Sequence, residues 1–89
     1  MLHVHGQSLN EQELERLLEA LTDDGGPDAV AVATEISHAY ASDRFAVRLD
    51  FEAREAIYFV LATEEDLPEG LMELRETLGR HVLALLKIM

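Results

Sequence analysis

Residues 28–40, Asp28-Ala29-Val30-Ala31-Val32-Ala33-Thr34-Glu35-Ile36-Ser37-His38-Ala39-Tyr40, decide the fold of this chain. Val30, Val32, Thr34 and Ile36 alternate with Ala31, Ala33 and Glu35, the period of a strand whose successive side chains point to opposite faces. The alanine-rich composition and the spacing Val32, Ile36, Tyr40 fit a helix as well. The segments downstream tip the choice. Phe45, Val47, Leu49 and Phe51 alternate with Ala46, Arg48, Asp50 and Glu52, the clearest strand pattern in the chain. Ala56-Ile57-Tyr58-Phe59-Val60-Leu61-Ala62 is apolar on both faces and reads as a central strand. Two such strands need a partner, so residues 28–40 are read as a strand and Ala41-Ser42-Asp43 as the turn that follows.

Working outward, Leu2 and Val4 alternate with His3 and His5 in a first short strand that Gly6 closes. Leu9 to Thr22 reads as a helix with Leu14, Leu17, Leu18 and Leu21 in one stripe. Asn10 and Glu13 have the spacing of a capping box, and Leu9 stands where it can staple onto Leu14. Ser8 with Glu11 is a competing start without that staple. Gly25 and Gly26 supply the stop, and Pro27 prevents continuation. The last helix starts near Pro68, with Asp66 and Glu69 spaced as a capping pair. Leu67, Leu71, Leu74, Leu78, Val82 and Leu85 run down one of its faces. Gly79 weakens it by about 1 kcal/mol relative to Ala and marks a kink or an early end.

The order is then β-α-β-β-β-α. It predicts an α+β two-layer sandwich: a four-stranded, mostly antiparallel sheet with two helices on one face, in a single small domain over residues 1–89. This order is similar to that of ribosome hibernation factors. Their basic helices serve ribosomal RNA, however, whereas the helices here are acidic, and order alone carries no function.

Charge narrows the partners. The 89 residues hold 18 Asp and Glu against 7 Lys and Arg, a formal net charge of −11. Such a chain repels phosphate backbones and anionic lipid surfaces, which excludes direct nucleic-acid binding and membrane association. A basic protein surface or a cation is the natural complement. No cysteine is present, so neither a disulfide framework nor a thiolate metal site exists. The first twelve residues lack the apolar run of a signal peptide, and Ala56–Ala62 is far too short to span a bilayer. The expected compartment is cytoplasmic.

Three constellations stand out, each with a plainer reading beside it. Glu11, Glu15 and Glu19, with Asp23 and Asp24 beyond, stack along the first helix at i, i+4 spacing. They form a candidate docking surface for a basic partner, or simply a solvated face. His3 and His5, two apart on a strand, share a face and form a weak candidate metal pair that lacks a third ligand. More often such a pair is merely surface. His81 stands in phase with Leu67, Leu74 and Ile88, either as a pH-sensitive interface group or as a hydrogen-bonded boundary residue.

No nucleophile elbow, Gly-rich phosphate loop or metalloprotease helix is present, so the chain is read as non-enzymatic and without cofactor. In a four-stranded sandwich the outer sheet face carries Ala31, Ala33, Ala46, Tyr58 and Val60. The C-terminal helix adds Leu83 and Leu86 to the apolar surface that must be covered. These seven are the candidate dimer or ligand face. The reading that follows is an acidic protein–protein interaction module, inhibitor-, immunity- or antitoxin-like, forming a homodimer and binding a basic or apolar protein surface. The alternative is a small ligand- or metal-binding domain that uses the open sheet face near His3, His5 and Tyr58.

Overall fold

The structure, a computed structural model, describes residues 2–42, 44 and 46–88, with side chains up to Ala84. Its elements run β1 (Leu2–Val4), β2 (Gln7–Leu9), α1 (Glu11–Asp24), α2 (Pro27–Ala41), β3 (Ala46–Val47), α3 (Phe51–Ala62) and α4 (Glu69–Ile88). The expected four-stranded sandwich with two helices is overturned: four helices dominate, and the sheet is a small mixed one of three strands in the order β2-β1-β3. The similarity of element order to ribosome hibernation factors goes with it.

The correction begins at residues 28–40, which are helical throughout. Ala29, Val32, Ala33, Ile36 and Ala39 are buried, at helical spacing. Val30 and Thr34 lie on the outer face, where the Thr34 hydroxyl donates to the Val30 carbonyl at 2.9 Å. A strand would have put Val30, Val32, Thr34 and Ile36 on one side. Pro27 in the first turn supplies a preset φ, and the five alanines favour helix.

Residues 56–62 are corrected in the same way. The Asp50 carboxylate accepts the Ala53 N–H at 2.8 Å and starts α3 there. Ala53, Ile57, Val60 and Leu61 then face inward. The run is apolar on both faces because Phe59, on the outer side, is 49% exposed. Of the strand read at 45–51, only Ala46–Val47 pairs, and Phe45 lies outside the described residues.

The N-terminal strand forms as read and continues into a hairpin. Leu2 pairs with Leu9, His3 with Ser8 and Val4 with Gln7. The two loop residues His5 and Gly6 have φ of 50° and 84°, positive at both positions as a tight hairpin loop requires. β3 joins β1 in parallel, His3 beside Ala46 and Val4 beside Val47. Leu2, Val4 and Leu9 are wholly buried in the helical core. Strands this short persist because helices cover them.

Helix α1 follows the sequence reading closely. Asn10 accepts from the Glu13 N–H at 2.8 Å, and the Glu13 carboxylate accepts from the Asn10 N–H at 3.0 Å. Gly25 closes the helix at φ 70°. Glu13 also reaches beyond its own helix, where its Oε2 accepts the Gly70 N–H at 2.6 Å, in the first turn of α4. The acid that meets this helix start thus comes from α1, while Asp66 takes a positive φ of 55° in the connection. A Cβ on Gly70 would fall inside the Glu13 carboxylate, 2.6 Å from Cδ. Gly79 causes no break, since α4 runs through it. Its missing side chain lets Tyr58 of α3 lie against α4, where a Cβ would stand 2.8 Å from the Tyr58 ring.

The Glu13–Gly70 contact yields a sign test. Ala normally stabilises a helix relative to Gly by up to about 1 kcal/mol. Gly70→Ala is expected to destabilise instead, by roughly 2 kcal/mol, because the added methyl overfills the site. In a Glu13→Ala background the same change should be neutral or favourable. Urea denaturation of the four proteins measures this, and a favourable Gly70→Ala in the wild-type background would refute it.

Candidate functional site

The corner between α1 and α2 faces α3 across a groove of about 610 Å³, lined by Asp24, Asp28, Glu52, Glu55, Phe59 and Val60 among others. Each acid has a local reason for its position. Asp28 and Glu52 stand in the first turns of α2 and α3, where negative charge suits the helix dipole. Asp24 accepts the Gly26 N–H at 3.3 Å, within the turn between α1 and α2. Glu52, Glu55 and Phe59 lie on one face of α3 at i, i+3 and i+7. The result is a groove that holds one exposed aromatic ring and four acidic side chains.

Of the sequence candidates, Glu11, Glu15, Glu19 and Asp23 are exposed on α1, and only Asp24 among the five acids reaches the groove. The candidate dimer face is dispersed, because it assumed a four-stranded sheet whose strands at 28–40 and 56–62 are helices. Ala31 is exposed on α2 and Ala46 on β3, while Ala33 and Val60 are buried. Tyr58 and Leu83 do come together. They line a second groove of about 830 Å³ between α3 and α4, which Arg75 and Arg80 also border. The Leu86 side chain lies outside the described residues. The sequence reading missed Asp28, Glu52, Glu55 and Phe59. The signal for them was an apolar run too wide for one helix face, flanked by acids at helical spacing.

His3 and His5 do not share a strand face: His5 leaves the strand at φ 50°. No group of three or more His, Cys, Asp or Glu placed to hold a metal ion occurs among the described residues. The premise of the alternative reading, an open sheet face bearing Tyr58, is likewise absent, since Tyr58 belongs to α3. His81 is exposed rather than in the buried stripe, and its ring meets that of His5 edge to face at 5.5 Å and 80°.

Burial, and then the positive charges of Arg54, His81 and Arg48, hold the His5 imidazole below its ordinary value of 6.5. Arg16 and Glu64 form an ion pair at 2.8 Å, which ties α1 to the α3–α4 connection. Both of its side chains are partly exposed, so it contributes at most about 1 kcal/mol. No described helix is long and apolar enough to cross a membrane. No protein-family model, no curated protein and no solved structure matches this chain.

The state of His5 gives a pH dependence of definite sign. The fold favours the neutral ring, so the stability it contributes is complete above the unfolded value of 6.5 and is lost as pH falls through the lower folded value. Denaturation midpoints should therefore fall from about pH 7 to about pH 5, and less steeply in His5→Asn. Asn is the replacement because it tolerates positive φ. Equal slopes in the two proteins would show that the His5 ring has no part in the effect.

Proposed function

We propose that this protein is a non-enzymatic interaction module whose α2–α3 groove binds a basic segment of another protein. An inhibitor-, immunity- or antitoxin-like role suits such a module, and a cytoplasmic setting belongs to the same reading. The supporting observation is Phe59, 49% exposed in a groove that four acidic side chains also line. An aromatic anchor beside charge of one sign suits a partner that places an apolar residue between Lys or Arg side chains. The acids on the outer face of α1 extend the negative field and speed the approach of such a partner. Self-association is a second part of the proposal. It rests on Leu83, 45% exposed beside Tyr58 in the α3–α4 groove, where a second copy would dock. Light scattering at micromolar concentration should give twice the chain mass, and a monomer would remove this part alone.

The groove itself is tested by selection from a displayed library of random peptides. Sequences with Lys or Arg flanking an apolar residue should be enriched. Phe59→Ala should weaken them by at least about tenfold, as loss of an aromatic anchor does. Glu52→Lys with Glu55→Lys should act mainly on the association rate, with an effect that shrinks as salt rises. Selected peptides that bind the Phe59→Ala protein undiminished would refute the site.

A further inference from the structure

His5 of the hairpin loop, Arg48 just after β3, Arg54 of α3 and His81 of α4 gather at one end of the small sheet, where His81 touches the His5 ring and the charges of Arg54, His81 and Arg48 act on it. The His5 N–H donates to the Val47 carbonyl at 3.1 Å, which brings the next residue, Arg48, beside the hairpin loop. From α4, His81 sets its ring against that of His5. From α3, Arg54 is held by a bond from Nε to the Asp50 carbonyl at 3.3 Å and lies over the Phe51 ring at 5.9 Å. That engages one guanidinium nitrogen and leaves the two Nη groups without a protein acceptor among the described residues. We propose that these four side chains form a binding site for a phosphate group, either inorganic phosphate or the monoester of a small molecule.

Some of the few positive charges are placed together. A chain with 18 acidic and 7 basic residues lowers its self-repulsion by placing bases among acids. Here two arginines and two histidines are grouped instead, and among the described residues the charges acting on the His5 ring are Arg54, His81 and Arg48, with no carboxylate among them. Such a grouping gains energy when an anion completes it. Guanidinium forks match phosphate oxygens in pairs, and imidazole N–H groups add further donors. Arg54 and His81 stand on helices α3 and α4, which lowers the ordering that binding requires of them. The overall negative charge opposes the ligand at long range, but salt screens it beyond about 10 Å at 0.1 M. Contacts within the cluster therefore set the affinity. The site is separate from the α2–α3 groove, and neither proposal depends on the other.

The test is titration of the whole protein with inorganic phosphate at constant pH and at ionic strength fixed with sodium chloride. It is followed by the ring proton resonances of the histidines. His5 and His81 should shift along a saturating curve while His38, exposed on α2, stays in place. Glycerol phosphate should compete for the same site if it takes monoesters, and failure to compete would confine the proposal to the free ion. Arg48→Gln and Arg54→Gln should each raise the half-saturation concentration by about tenfold, the weight of one charge-assisted bond. If loss of the Phe51 contact unfolds Arg54→Gln, the exposed Arg48→Gln carries the test. Shifts that grow linearly, that sodium chloride alone reproduces, or that persist unchanged in Arg48→Gln would overturn the proposal.

Discussion

A single buried carboxylate joins the two ends of the fold. Glu13 completes the N-terminal cap of α1 with one oxygen and receives the first turn of α4 with the other. A helix start leaves several N–H groups without intrahelical partners, and a buried one is costly unless something accepts it. Here one side chain serves two helix starts, and its bond to Gly70 spans 57 positions in sequence. It fixes their spacing and angle together, and it permits only Gly at position 70. The Gly79–Tyr58 contact acts in the same way further along α4, where absence of a side chain sets how closely α3 approaches. The hydrophobic core supplies most of the stability, as in any small domain, but these close approaches decide which arrangement of four helices it adopts.

Charge is distributed unevenly over that frame. Acidic side chains occupy the outer face of α1 and the α2–α3 groove. Basic ones collect around His5 at the sheet end and along the α3–α4 groove. A molecule so divided presents opposite potentials to different partners, although its net charge alone points only to basic ones.

The residues that act locally were legible in the sequence. Asn10 and Glu13 sit three apart before a leucine stripe, and Gly25 follows it, so α1 is readable from end to end. The misreading at 28–62 has a physical cause. Alternation of Val with Ala fits period two by coincidence when the helix has a broad apolar surface, as α2 does with Val30 and Tyr40 both exposed. The strand readings also supported one another: each needed the others as hydrogen-bonding partners, so one wrong period carried three segments. Pro27 after Gly26, and Asp50 three residues before Ala53, were helix starts visible in the sequence. The groove was not legible for a further reason. Asp24, Asp28, Glu52 and Glu55 converge only when 28–40 and 51–62 are helices lying side by side. Likewise, nothing in the spacing of His5 and Arg48 shows that residue 4 pairs with residue 47.

That parallel pairing bears on how the molecule assembles. Contacts between successive helices join segments close in the chain and form early, whereas a non-local strand pair must first close a long loop. β1 and β3 enclose the whole of α1 and α2 between them, for only two residues of ladder. On loop-closure grounds the pairing is expected to complete after the helices have met. The gathering of His5 with Arg48 is thus a property of the finished chain alone, absent from any compact intermediate in which the helices have docked and the sheet has not.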